Sequence, residues 1–186
     1  MSERGVILYG PPTSGKDTVT AELTHQNPRY ALLPKLKVGT GRSTGYRYVS
    51  PAELAALRDA DRIAVETPRY GNVYAVDRHD VTALTDADRI PVVHMGNVAD
   101  LRRLRGAVPL HWTSVLLWVP RDVCAERSEH RGDDDTASRL RAWDETRDDV
   151  RSLDNPVFDL VIHTDRVTAA EAARRIVHAT SLADAR

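Results

Sequence analysis

One stretch decides the fold of this chain: Gly10-Pro-Pro-Thr-Ser-Gly15-Lys16-Asp17-Thr18. It has the spacing GxxxxGK, it follows a short apolar run at residues 6–9, and it precedes an amphipathic segment at residues 18–25. Glycines let the backbone wrap around a phosphate, and successive N–H groups at a helix N-terminus supply partial positive charge. The lysine adds a mobile full charge. The stretch therefore predicts a phosphate-binding loop between a first strand and a first helix.

The position after the loop lysine holds Asp17, where the motif usually has a serine or threonine whose hydroxyl binds Mg²⁺. A carboxylate is also a suitable hard oxygen ligand, and Thr18 offers a hydroxyl one residue later, so both are candidate metal ligands. The alternative is that Asp17 only stabilises the first helical turn through the helix dipole. The residues predicted to bind the nucleotide cofactor are Gly10, Pro11, Thr13, Ser14, Gly15, Lys16, Asp17 and Thr18.

Outward from the loop, apolar runs at residues 91–95, 115–119 and 158–162 alternate with amphipathic stretches. Continuous apolar strands between helices predict a parallel sheet covered on both faces, in a three-layer α/β fold of the P-loop NTPase type. A strand over residues 30–38 should be interrupted at Pro34, and Ser50-Pro51-Ala-Glu53 has the pattern of a helix start. Residues 38–76 carry short alternating strands with Gly and Pro, which predicts a small lobe outside the main sheet.

The amino-acid composition of the chain limits the classes of function that it can have. The 186 residues carry 26 Lys and Arg against 27 Asp and Glu, so the net charge of -1 gives no footprint for nucleic acid or an anionic membrane. Cys124 is the one cysteine, which excludes an internal disulfide framework. No apolar run approaches the roughly 18 residues of a membrane span, and no signal peptide pattern is present. We expect a cytoplasmic protein, monomeric or homodimeric, without nucleic-acid or membrane partners.

A second group of candidates is rich in arginine. Arg127 and Arg131 are four residues apart on one helical face, and Arg139 follows a loop of glycine and aspartates. Guanidinium groups suit phosphoryl transfer because its charge is spread over three oxygens. The alternative is a solvated helix with Glu/Arg pairs.

In the order of its pieces, the chain resembles the guanylate kinase family of P-loop phosphotransferases over roughly residues 6–179. The resemblance rests on the phosphate loop, Thr40-Gly41-Arg42, Gly45-Tyr46-Arg47-Tyr48-Val49-Ser50, Tyr70-Gly71-Asn72-Val73-Tyr74, Arg127, Arg131-Gly132, Arg139-Leu140, and the late strand at residues 158–163. It implies a single domain of three parts: a core (residues 1–37, 77–124 and 140–186), an acceptor-binding lobe (residues 38–76) and a mobile lid (residues 125–139).

The resemblance also implies ATP and Mg²⁺ as cofactors, and a phosphorylated small molecule as acceptor of the γ-phosphoryl group. Lys16 would hold ATP phosphates, and Arg42, Tyr46 and Tyr74 would hold the acceptor phosphate. The residues implied in catalysis are Lys16, Arg42, Arg127, Arg131 and Arg139, and those expected to bind the acceptor are Arg42, Tyr46, Glu66, Tyr74, His94 and Gly96.

Departures from the family pattern concern the guanine-binding positions. Val38 replaces a serine, His94-Met95-Gly96 replaces an Asp-x-Asp segment, and Glu66 is one residue too close to Gly71. Because a buried base edge needs its hydrogen bonds met, ordinary guanylate kinase activity is not expected. We expect a nucleoside monophosphate other than ordinary GMP. The alternatives are a ribose 1,5-bisphosphate phosphokinase, which shares Gly-Lys-Asp in its loop, and a non-catalytic nucleotide- or phosphopeptide-binding module.

Overall fold

The computed structural model describes residues 3–69, 71–130 and 136–182, and within these ranges the chain forms nine strands and seven helices. The strands are β1 (Arg4–Tyr9), β2 (Tyr30–Leu32), β3 (Lys35–Val38), β4 (Tyr46–Tyr48), β5 (Ile63–Arg69), β6 (Asn72–Asp77), β7 (Ile90–Met95), β8 (His111–Trp118) and β9 (Leu160–His163). The helices are α1 (Lys16–Gln26), α2 (Pro51–Asp59), α3 (Arg78–Asp86), α4 (Val98–Ala107), α5 (Arg121–His130), α6 (Thr136–Arg151) and α7 (Ala169–Leu182). None of these helices has the length and apolar character to cross a membrane.

The main sheet has five parallel strands in the order β2-β7-β1-β8-β9. Side chains of a strand alternate between its two faces. In β1, Val6 and Leu8 pack with α1 and α7, whereas Ile7 and Tyr9 pack with α3 and α4. Both faces are therefore covered by helices, and the predicted three-layer α/β fold with a parallel central sheet is confirmed.

The predicted strand at residues 30–38 becomes two strands in two different sheets. β2 ends at Leu32 at the edge of the main sheet, and β3 begins at Lys35 in a second sheet. Leu33 still donates its N–H to the carbonyl of Val92, at 2.9 Å, but Pro34 has no N–H to continue the ladder. The proline thus marks the point where the chain leaves one sheet for the other.

The second sheet has the strand order β4-β3-β6-β5, with β3 and β4 parallel and the other pairs antiparallel. Helix α2 packs Leu54 against Leu36 and Ala75 of this sheet. The predicted helix start is present as a complete capping box between Ser50 and Glu53. The division into an acceptor-binding lobe and a lid stays a prediction; residues 131–135, in the middle of the predicted lid, lie outside the described residues.

Candidate active site

The predicted phosphate loop joins the end of β1 to the start of α1. Gly10 has φ 156° and packs so closely on β8 that an added Cβ would lie 2.2 Å from the carbonyl oxygen of Leu117. Gly15 caps α1 in a left-handed conformation, φ 86°, and, having no side chain, it provides no cap for the N–H groups of the first helical turn. The free N–H groups of that turn make this end of α1 suited to an anion.

Lys16 folds its side chain back over the loop. Its Nζ donates hydrogen bonds to the carbonyl oxygens of Gly10, at 2.7 Å, and Pro11, at 2.9 Å, and to Ser14 Oγ, at 3.3 Å. Burial lowers the pKa of Lys16 to about 8, although the neighbouring carboxylate of Asp17 acts in the opposite direction. The ammonium group therefore lies where an anion on the loop would reach it.

Asp17 links the loop to the segment between β3 and β4 and to the end of β7. Its Oδ2 accepts a hydrogen bond from Nη2 of Arg42, at 3.1 Å, and its Oδ1 lies 3.7 Å from Nδ1 of His94. Burial would raise the pKa of Asp17, but Arg42, His94 and Lys16 together hold it below its usual range. The carboxylate is thus ionised and shared between two elements.

His94, at the end of β7, also forms a hydrogen bond between its Nε2 and Thr20 Oγ1, at 2.8 Å. Burial and the charge of Lys16 lower the pKa of His94 to about 3, despite the opposing charge of Asp17. The ring is therefore neutral at pH 7, and one of its nitrogens is occupied by α1.

A magnesium ion would find one suitable carboxylate here. Asp17 is half exposed and sits on the first turn of α1 beside the loop, so it fits a hard cation that keeps most of its waters. Within the described part of the chain, no three His, Cys, Asp or Glu side chains come together as a metal site. The donor set therefore fits an ion held jointly by Asp17, water and nucleotide phosphates.

A cavity of about 310 Å³ lies between the phosphate loop, the second sheet and α6. The structure brings twelve of the predicted site residues to its wall: Gly10, Thr13, Ser14, Gly15, Lys16, Asp17, Arg42, Tyr46, Tyr74, His94, Gly96 and Arg139. Pro11 and Thr18 are not part of this wall, and Arg131 lies outside the described residues.

Three tyrosines on the second sheet surround the ammonium group of Lys37. Nζ lies 5.2 Å from the ring centroids of Tyr46 and Tyr48 and 5.6 Å from that of Tyr74, which is within the range of cation–π attraction. It also donates a hydrogen bond to the carbonyl oxygen of Arg42, at 3.0 Å. Lys37 therefore fixes the backbone of Arg42 relative to the two tyrosines expected to share a ligand with it.

Glu66 does not line this cavity, and its expected binding of the acceptor stays a prediction. Glu66 Oε2 and Oε1 accept hydrogen bonds from Arg58 of α2, at 2.7 and 2.8 Å. Its neighbours Val65 and Thr67 line the cavity instead. Alternation along β5 explains the difference, because a shift of one position turns a side chain to the opposite face.

Arg127 does not line the cavity described above. Its Nη1 donates to the carbonyl oxygen of Thr13, at 3.0 Å, and to Thr164 Oγ1, at 3.3 Å, while Nη2 donates to the carbonyl oxygen of Thr164, at 2.8 Å. These bonds tie α5 to the loop, so its contacts are those of a positioning residue rather than of a group at the reacting phosphate. Arg127 lines a second cavity, of about 300 Å³, on the other side of the loop, together with Thr18.

Sequence reasoning missed several polar side chains in the wall of the 310 Å³ cavity: Lys35, Thr67, Arg69, Asp100 and Thr146. For Lys35, the sequence does contain one indication that it belongs to the site. The chain has 26 basic residues, and Lys16, Lys35 and Lys37 are its three lysines. The first two line the cavity and the third lies among the tyrosines beside it. Because the other basic residues of the chain are arginines, the positions of the three lysines indicate the site.

Comparison with known proteins identifies the fold of this chain. The sequence matches no protein-family model, and no curated protein matches it. Among solved structures, guanylate kinase from Anaplasma phagocytophilum is similar, with a TM-score of 0.67 and 17% identity over 95% of this chain and 84% of that one. The chain therefore has the three-layer P-loop fold of the guanylate kinase type. At this identity the likeness concerns the fold, and the activity has to be argued from the site.

Proposed function

We propose that this protein is an ATP- and Mg²⁺-dependent phosphotransferase that moves the γ-phosphoryl group of ATP to the phosphate of a small acceptor. One observation carries the proposal: the phosphate loop and the side chains of Arg42, Tyr46 and Tyr74 line the same cavity. Two groups suited to binding phosphate in the wall of one cavity are what a transfer between two phosphates requires.

The donor phosphates are assigned to the loop. The free N–H groups at the start of α1 and the ammonium group of Lys16 would hold them. The cavity lined by Thr18 and Arg127, across the loop, offers room for the rest of the nucleotide. Magnesium, when bound at Asp17, would supply charge neutralisation for the donor phosphates.

The acceptor phosphate is assigned to Arg42 with Tyr46 and Tyr74, whose rings lie 5.2 Å apart. In the reaction, an acceptor phosphate oxygen forms a bond to the γ-phosphorus while the bond from that phosphorus to the β–γ bridging oxygen breaks, releasing ADP. Lys16 and Arg42 would stabilise the charge on the moving group, and Arg139 lines the same wall.

For the acceptor itself, we favour a nucleoside monophosphate other than ordinary GMP. Gly96 presents no side chain to the cavity, Glu66 lies outside it, and His94 is already bonded to Thr20. Ribose 1,5-bisphosphate is the second candidate. It is favoured by the hydrogen bonds and ion pairs that the carboxylates of the described residues already make. Of those lining the cavity, Asp17 is paired with Arg42 and Asp100 accepts three hydrogen bonds, so neither is free for a base N–H.

Two measurements test the proposal in sequence. Titration with ATP and ADP at up to millimolar concentration, with and without Mg²⁺, separates a nucleotide-binding enzyme from a module without the donor site. An ADP-release screen then compares GMP, AMP, CMP, UMP, dTMP, modified pyrimidine nucleotides and ribose 1,5-bisphosphate. Absence of nucleotide binding would refute the proposal. Efficient turnover of GMP would refute the acceptor assignment, and turnover confined to ribose 1,5-bisphosphate would establish the second candidate.

A further inference from the structure

Lys35 presents an ammonium group to the cavity without an ionic partner. It begins β3, lines the cavity, and places Nζ 5.7 Å from the centroid of the Tyr74 ring. Across residues 3–69, 71–130 and 136–182, no oxygen accepts a hydrogen bond from this group and no carboxylate forms an ion pair with it. Lys35 is partly buried, and a charge held largely out of water without a partner costs free energy, so such a group points to a ligand that compensates it.

The charged neighbours of Lys35 are already neutralised by others. Asp100 accepts hydrogen bonds through Oδ2 from Thr67 and from Asn97, and through Oδ1 from Arg103. The second neighbouring charge is Arg69, whose Nη2 donates to Glu145 Oε2, at 3.0 Å. Apart from Lys16, which is assigned to the donor phosphates, the surplus at this part of the cavity is therefore the positive charge of Lys35, a residue that only donates hydrogen bonds.

We propose that Lys35 binds a second anionic oxygen group of the acceptor, a carboxylate or a second phosphate, besides the phosphate that receives the phosphoryl group. The inference rests on the proposed function, since it assumes that the acceptor occupies this cavity. Arg42 and Tyr46 hold the first phosphate, and Lys35 lies beside Tyr74, within the same wall. The acceptor would then carry an anion at each of two points, which ordinary nucleoside monophosphates do not.

The charge state of Lys35 agrees with this role. Burial lowers the pKa of Lys35 to about 8, and Arg69 adds to the effect while Asp100 opposes it. An anion bound at Nζ would restore the lost stabilisation of the charged form. The group is thus held near its titration point without ligand and would be fully protonated with it.

Two matched pairs of probes test the proposal by calorimetry on the full chain: UMP against orotidine 5′-monophosphate, and ribose 5-phosphate against ribose 1,5-bisphosphate. Within each pair the second compound adds one anionic group. We expect it to bind at least about tenfold more tightly in one of the pairs, as a charge-assisted hydrogen bond would give. Lys35→Met should abolish this gain and Lys35→Arg should retain it. Arg58→Met, which removes a cation outside the cavity, should leave the gain unchanged.

Equal affinities within both pairs, a gain that survives in Lys35→Met, or binding of none of the four probes would each overturn the assignment. Thermal unfolding without ligand gives a second readout. A group held for a ligand should cost stability, so Lys35→Met is expected to melt at or above the temperature of the unmodified chain. A lower melting temperature would make Lys35 a structural residue. Titration with ATP reports separately on the proposed function, because the nucleotide phosphates are assigned to the loop.

Discussion

The carboxylate of Asp17 and the guanidinium of Arg42 form an ion pair, with Oδ2 and Nη2 3.1 Å apart, and this pair joins the donor side of the cavity to the acceptor side. Asp17 is the candidate magnesium ligand and Arg42 is the candidate for the acceptor phosphate. Each residue therefore has to exchange this partner for a ligand. Because both side chains are about half exposed, the pair itself contributes at most about 1 kcal/mol.

Asp17→Asn should free Arg42 for an acceptor phosphate. We expect the best acceptor of the ADP-release screen to bind about two- to fivefold more tightly in the absence of nucleotide, which corresponds to the strength of an exposed ion pair. The same variant should need more Mg²⁺ for half-maximal ATP binding, because a carboxylate ligand is lost. Calorimetry measures both. Asp88→Asn breaks an exposed pair with Arg29 elsewhere and serves as the control. Unchanged acceptor affinity would show that Asp17 does not restrain Arg42.

Lys16→Ala should reduce kcat on the order of 10³-fold, because it removes the charge that the loop offers to the transferring phosphate. Steady-state ADP release measures the effect. The matched control is Arg58→Ala, which removes a cation bonded to Glu66 outside the cavity and should change kcat less than about twofold. A loss below tenfold in Lys16→Ala would contradict the role given to the loop.

Substitutions at two neighbouring positions of β5 should have different effects on the KM for the acceptor. Thr67→Val removes a hydrogen bond to the buried carboxylate of Asp100 in the cavity wall, so the acceptor KM should rise at least about fivefold. Glu66→Gln weakens an ion pair on the other face and should leave KM within about twofold. Measuring KM for both variants against the same acceptor checks the orientation of the strand. The reverse ranking would return Glu66 to the acceptor site.

Stability should rise with pH above about 8. Lys16 and Lys35 have pKa values near 8 in the folded chain and near the model-peptide value of 10.5 when unfolded. Between these values the unfolded chain binds more protons, so the free energy of unfolding increases as pH rises from 8 to 10. Urea unfolding at both pH values measures the increase. It should be smaller in Lys35→Met than in the unmodified chain; an equal increase would show that Lys35 titrates normally.

More of the fold than of the candidate site could be predicted from the sequence. Apolar runs and the loop motif were sufficient for the parallel sheet, since buried strands and a phosphate loop have local signatures. Six of the eight predicted loop residues line the cavity for the same reason. The face of β5 to which Glu66 points could not be predicted, because it depends on strand register, and a one-residue shift inverts it. Asp100 was missed because it reaches the cavity wall where α4 packs against β5, a contact between segments distant in sequence.

The positions of the lysines allow ligand binding at the candidate site to be followed by chemical labelling. Lys16, Lys35 and Lys37, the three side-chain amines of the chain, all lie at or beside one cavity. Acylating reagents attack the neutral amine, and Lys16 and Lys35 have pKa values of about 8. Side-chain amine labelling, which in most proteins is scattered over the surface, is here confined to the candidate site. Its rate, followed by intact mass, would measure occupancy of that site by any ligand without a reaction to monitor.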